Sequence, residues 1–118
     1  MTALPPVLWA IRSPAQSVVA GDIVLFRQTW IAHIKVFHEP VELWQLQDNL
    51  SDPCYIAAST TEPPGNVLFI CEGNTDDYGA PLVVAVRTLP NGSNIVTSAY
   101  YDERYERHQP KLWERGDG

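Results

Sequence analysis

Basic residues are scarce in this chain of 118 residues. Eight Lys and Arg stand against fourteen Asp and Glu, giving a formal net charge of −6. Up to Tyr101 the imbalance is four (Arg12, Arg27, Lys35, Arg87) against nine. Affinity for a polyanion comes from neutralised phosphates, so bulk charge excludes nucleic-acid binding and leaves only a local patch for it. Cysteine is equally sparse. Cys54 and Cys71 are too few for a disulfide framework or a structural zinc site. Both sit in strand-like apolar runs, where a thiol behaves as a small hydrophobe. No apolar run reaches the roughly 20 residues of a membrane-spanning helix, so no membrane partner is expected. The opening MTALPPVLWAIRSP has no basic n-region and carries two prolines. It reads as a short edge segment and not as a signal peptide, and the expected compartment is cytoplasmic. Glycine-rich phosphate loops, Cys-x-x-Cys, His-Glu-x-x-His and Gly-x-Ser-x-Gly are all missing. Asn74, Asp76 and Asp77 lack the ligand spacing of a calcium loop. No metal and no cofactor is therefore expected.

What is present is enough apolar material for one core. Hydrophobic residues are 45% and charged residues 19%, which excludes wholesale disorder. Ten prolines and seven glycines point to many short elements. Ile23 to Phe26 follows the turn signal Ala20-Gly21-Asp22 and reads as a strand. From Gln28 to Phe37 the apolar residues Trp30, Ile31, Ile34 and Phe37 fall at helical spacing, with Val36 off the stripe. Pro40 ends that helix and can open a second. The second would carry Val41, Leu43, Trp44, Leu46 and Leu50 and stop before Ser51-Asp52-Pro53.

Strand signals follow at Tyr55 to Thr60, Val67 to Cys71, Leu82 to Val86 and Ile95 to Tyr101. The turn clusters Glu62-Pro63-Pro64-Gly65-Asn66 and Pro90-Asn91-Gly92 punctuate them. Short links make an antiparallel meander the economical topology. The expected fold is α+β: an antiparallel sheet of about four strands packed against one or two N-terminal helices. Residues 1–101 form one domain, and 102–118 form a charged tail that adds a helical turn or two or is partly disordered. Tyr105, Leu112 and Trp113 in that tail suit either a partner interface or packing onto the chain's own sheet.

The chemistry-bearing side chains form a loose constellation. His33 and His38 lie five residues apart, about 140° around a helix, which excludes a shared metal on a regular helix. Each can act as acid or base near neutral pH. Thr97, Ser98, Tyr100 and Tyr101 bring hydroxyls to the last strand. Alternation puts Thr97, Ala99 and Tyr101 on one face and Ser98 and Tyr100 on the other. Arg27, Lys35, Arg87 and Arg104 offer cations. Such a set can support cleavage of RNA by its own 2′-hydroxyl, which needs a base, an acid and a stabiliser of phosphorane charge but no metal. The same residues also suit an ordinary core histidine and ordinary strand positions.

The segment from Trp30 to His38 has the form W-x-x-H-I-x-x-x-H and directly follows a strand. Downstream come Asp52-Pro53, the run LVVAV and the strand IVTSAYY. This order resembles the phage-associated branch of the barnase–EndoU–colicin–RelE superfamily, the BECR fold, over about Ile23 to Tyr101. The resemblance implies a RelE-like sheet with an RNase-type site between sheet and helices. It implies His33 and His38 as acid and base, with Thr97 as the third catalytic group. Lys35, Arg87, Ser98 and Tyr100 become the substrate-binding residues. RNA and a neutralising protein are the implied partners. Two departures stand out: His38-Glu39-Pro40 replaces His-Pro-Glu, and Ser98 is an extra residue in the terminal strand. Both fit a domain that has kept the scaffold and lost the activity, and an acidic surface would then bind a protein partner.

Overall fold

Val83, Val84, Ala85 and Val86 are buried without remainder, and the fold is arranged around the strand they occupy. The computed structural model describes residues 6–37, 41–59, 66–108 and 110–116. The strands are β1 (Val7–Arg12), β2 (Asp22–Phe26), β3 (Tyr55–Ala58), β4 (Asn66–Thr75), β5 (Pro81–Thr88), β6 (Asn94–Tyr101) and β7 (Lys111–Glu114). Helix α1 runs through three contiguous turns, Arg27–Thr29, Trp30–Ile34 and Lys35–Phe37, and helix α2 is Leu43–Ser51. A 3-10 turn at Tyr105–Arg107 precedes β7.

All seven strands join one sheet in the order β1-β2-β6-β5-β4-β3-β7. Neighbours are antiparallel except β2 and β6, which run parallel through Ile23 opposite Asn94 and Val24 opposite Ile95. This corrects the expectation of about four antiparallel strands behind N-terminal helices. The sheet is mixed, and two strands precede the first helix. The meander of β3, β4, β5 and β6 lies inside that larger sheet. Edge strands account for part of the difference. β1 and β7 lie at the two ends of the order, and an edge strand needs few buried residues to hold its place. In KLWE only Trp113 packs into the helix-side core. Asn94 accounts for the parallel pair. Its buried amide donates to Ala20 O at 2.6 Å and Asp22 O at 3.1 Å, tying the start of β6 to β2.

The two faces of the sheet are both apolar. On one, Ile23, Leu25, Phe69, Leu82, Val84 and Val96 pack against Ile34 of α1 and Leu46 and Leu50 of α2. Each such side chain contributes about 1.5–3 kcal/mol by leaving water. On the other face, Tyr55, Ala57, Leu68, Ile70, Val83 and Ala85 form a second cluster, joined by Tyr100 and Tyr105. The chain after Asp102 is fastened to this face. His108 is wholly buried, and its Nε2 lies 3.1 Å from Asp102 Oδ2. Of the tail residues singled out above, Tyr105 and Trp113 pack onto the sheet and Leu112 is exposed.

Helix α1 departs from the regular spacing that its sequence suggests. Lys35 N–H bonds Trp30 O, five residues back, so Trp30–Ile34 is a π turn. The extra residue in that turn rotates the stripe: Ile34 is buried, while Ile31 is 54% exposed. Helix α2 is held at its start by Gln45, whose Oε1 accepts the Glu42 N–H at 2.7 Å. Its Asn49 is buried against the sheet and donates to Phe69 O and Leu82 O at 3.1 and 3.2 Å.

Candidate active site

Strand β6 carries a β-bulge opposite Ala85. Ala85 pairs with Ser98, but the next residue, Val86, pairs with Val96, so Thr97 is the extra residue. Thr97 and Ser98 together stand against Ala85, and the bulge bends the strand locally. This changes the faces read from simple alternation. Val96 and Ala99 both enter the helix-side core, so Thr97 does not share a face with Ala99. The Thr97 hydroxyl donates to Ala85 O at 3.3 Å.

Helix α1 continues directly from β2, and β2 leaves the sheet after pairing only with the first residues of β6. The helix therefore runs beside the later part of β6, where the bulge lies. There His33, in the π turn, meets Ser98. His33 Nε2 lies 3.1 Å from Ser98 Oγ, and both side chains are half-buried. With Nδ1 protonated, the ring accepts the hydroxyl proton; with Nε2 protonated, it donates to the hydroxyl oxygen. Either tautomer puts an acid–base group in contact with a hydroxyl, across 65 residues of sequence.

The remaining predicted residues distribute as follows. Arg87 is exposed and stands two residues beyond Ala85 on β5, about 6.6 Å along the same face as Ser98. Tyr100 follows Ser98 by two residues, opposite Val83, and packs on the second cluster. Lys35 lies over the Trp30 ring at 5.7 Å, on the outside of α1. Ser98, Arg87 and Tyr100 therefore share one sheet face with His33 bonded to the first of them. Thr97 is held by the backbone, and Lys35 faces its own helix. His38 lies outside the described residues.

Three grooves among the described residues sit elsewhere, and of their linings the sequence singles out Tyr101, Tyr105, Arg104, Asp76 and Asp77 but does not bring them together. Tyr55, Glu72, Tyr105, Glu106 and Lys111 line one of about 460 Å³. Asp76, Asp102, Glu103 and Arg104 contribute to a second of about 340 Å³. Gln45, Asp76, Asp77 and Tyr101 contribute to a third of about 400 Å³. Carboxylates recur in all of them. Asp76 also has a structural part: its Oδ1 accepts the Tyr78 and Ala80 N–H groups, each at 2.9 Å, and so shapes the β4–β5 turn. The Tyr101 hydroxyl donates to Gln45 Oε1 at 2.9 Å, and its ionisation is raised by burial, with that hydrogen bond opposing. Of the first groove's lining, Tyr105 alone was singled out in the sequence, as suited to a partner interface or to packing on the sheet.

Among the described residues no group of three His, Cys, Asp or Glu is placed to hold a metal ion, and no helix is long and apolar enough to cross a membrane. Comparison with protein-family models, with curated proteins and with solved structures finds no match.

Proposed function

We propose that this chain is a small RNase-like domain that cleaves RNA through attack of the 2′-hydroxyl on the adjacent phosphorus, without a metal. The observation that carries the reading is the 3.1 Å contact between His33 Nε2 and Ser98 Oγ. It brings together a helix histidine and a terminal-strand hydroxyl that the W-x-x-H-I and IVTSAYY segments single out in the sequence. In this scheme His33 takes the proton of the 2′-hydroxyl as the new O–P bond forms. Ser98 orients the imidazole and offers its hydroxyl to a phosphate oxygen. Arg87, on the same face, faces the charge that grows on the phosphorane. The P–O5′ bond breaks, the leaving oxygen takes a proton, and a 2′,3′-cyclic phosphate remains. His38 is assigned the second proton.

The test is incubation of the purified protein with a mixed RNA pool in EDTA, beside His33→Ala, His38→Ala and Ser98→Ala. Cyclic phosphate ends from the wild type, reduced at least about 100-fold in His33→Ala, are expected. Intact RNA with a folded wild type overturns the reading.

A second reading has its own observation. Carboxylates line all three grooves, and the net charge is −6. An acidic surface of this kind suits a basic protein partner, and the domain would then be a binding module with no RNase activity.

A further inference from the structure

Among the described residues, the first groove differs from the other two in that a lysine of this chain lies over an aromatic ring of its lining. Tyr55 forms its floor from β3 and is 3% exposed. Glu72 enters from β4, and Tyr105 and Glu106 enter from the 3-10 turn. Lys111, the first residue of β7, is paired with Ala57 and so stands on the face that also carries Tyr55. Its Nζ lies 4.4 Å from the Tyr55 ring centroid. A lysine ammonium over a tyrosine face is held by the ring quadrupole. Two carboxylates, Glu72 and Glu106, line the groove together with that ammonium.

Burial and these carboxylates act on the groove's own phenols. Burial raises the Tyr55 hydroxyl far above the ordinary tyrosine range, and Glu72, Tyr105 and Glu106 push it further. Burial also raises Tyr105, and the charges of Glu72 and Glu106, with hydrogen bonds to both, add to it. Both phenols therefore stay neutral, and Lys111 covers the Tyr55 ring.

We propose that this groove receives a lysine side chain carried on an extended basic segment of a partner protein, with Lys111 as the internal occupant that the incoming lysine displaces. The observed occupant argues for the class: it is a lysine, and an extended strand presents it. Lys111 is exposed, and a cation–π contact at an exposed site is weak, so exchange is open to a competitor. Among the described strands β7 ends the sheet order, and an edge strand can take up one more extended segment. The inference deepens the binding-module reading, and its readout is separate from RNA cleavage, so either can fail alone.

The experiment is an NMR titration of the full chain with an acetylated, amidated Gly-Lys-Gly-Lys-Gly peptide, following the Tyr55 and Tyr105 ring resonances. The same peptide with Glu in place of Lys, and spermidine, are the comparison arms. Lys111→Met removes the internal competitor from an exposed position, and circular dichroism checks that its fold is kept. The expected result is saturable movement of both rings, at least threefold tighter in Lys111→Met. Adding Glu72→Gln to that variant should weaken binding at least threefold. Unchanged or weaker binding in Lys111→Met overturns the proposal, as does an equal response to the Glu peptide. Spermidine binding as tightly as the Lys peptide would assign the groove to free amines and overturn the protein partner.

Discussion

Val96 and Ala99 lie three residues apart on β6, yet both fill the helix-side core. Regular alternation puts residues three apart on opposite faces, so the strand must carry one residue too many between them. That residue is absorbed by the bulge at Thr97 and Ser98, opposite Ala85. The bulge therefore keeps the core in register and brings Ser98 to His33 at the same time. Packing and the candidate chemistry share one irregularity.

Deleting Thr97 separates the two effects. Val96 and Ala99 then stand two apart, and the core register survives with a regular strand. The variant is expected to fold with a loss of no more than about 2 kcal/mol, within the range of ordinary single changes. The His33–Ser98 contact should be lost, because the local bend is gone. Thermal melting and the His33 ring resonances check the two halves. A His33 ring unchanged from wild type would show that the bulge does not position Ser98.

Asn94 is the fastener of the parallel pair. It donates to Ala20 O and Asp22 O and accepts the Thr88 hydroxyl at 2.7 Å, while 1% exposed. Asn94→Ala leaves those partners without it and should cost about 2–4 kcal/mol. Thr88→Val loses one of the three bonds and should cost about 1 kcal/mol. Hydrogen exchange at the Ile23 and Leu25 amides should accelerate in Asn94→Ala. Equal costs for the two variants would remove Asn94 from this role.

How much of this was legible in the sequence depends on how local the cause is. The run LVVAV announces a strand buried on both faces, and β5 is that strand. The second helix was readable from Leu46 and Leu50, both buried, but it spans Leu43–Ser51, so Val41 lies before it, and Trp44, expected on its apolar face, is 61% exposed. Strand β7 was hidden because Lys111 and Glu114 are exposed and only Trp113 packs inward. The last residues of β4, Glu72 to Thr75, read as loop because they are polar and extend beyond the apolar run. The parallel placement of β2 rests on Asn94, more than 70 residues away, and no local pattern carries it. The π turn left no mark in the spacing of Trp30, Ile31 and Ile34. The candidate site was partly legible. His33 and Ser98 were both singled out, but their meeting depends on a bulge that only the Val96–Ala99 spacing betrays. Of the first groove only Tyr105 was legible, since its five lining residues come from four separate elements.

Asn49 supports helix α2 from beneath. It is wholly buried, and its amide donates to carbonyls of both β4 and β5, Phe69 O and Leu82 O. Asn49→Ala removes two hydrogen bonds and opens a small cavity, with an expected cost of about 2–4 kcal/mol. Asn49→Asp is expected to be worse near neutral pH. An ionised carboxylate cannot donate to either carbonyl, and it is buried without a partner charge. Protonation restores one donor, so the Asp variant should recover stability on acidification relative to wild type. Urea midpoints at about pH 7 and about pH 4.5 measure this, and parallel losses in both proteins would contradict it.

The alkaline limit follows from two buried acids. Burial is the main cause that raises the Cys71 thiol above its ordinary value of 9.0, and burial, then Glu72, raises the Tyr55 phenol above 10.0. Both groups stay protonated in the folded protein at pH values where the unfolded chain has released the proton. The unfolded state then binds fewer protons than the native state, so stability falls as pH rises. The contribution is fully present below the unfolded values and is lost as pH climbs from about 9 towards the folded ones. The urea midpoint should hold steady from about pH 7 to 8.5 and decline above that, more steeply beyond about 10. Cys71→Ala should flatten the first part of the decline, and Tyr55→Phe the second. A wild-type midpoint that rises or stays level to about pH 11 would show that neither group is held protonated by the fold.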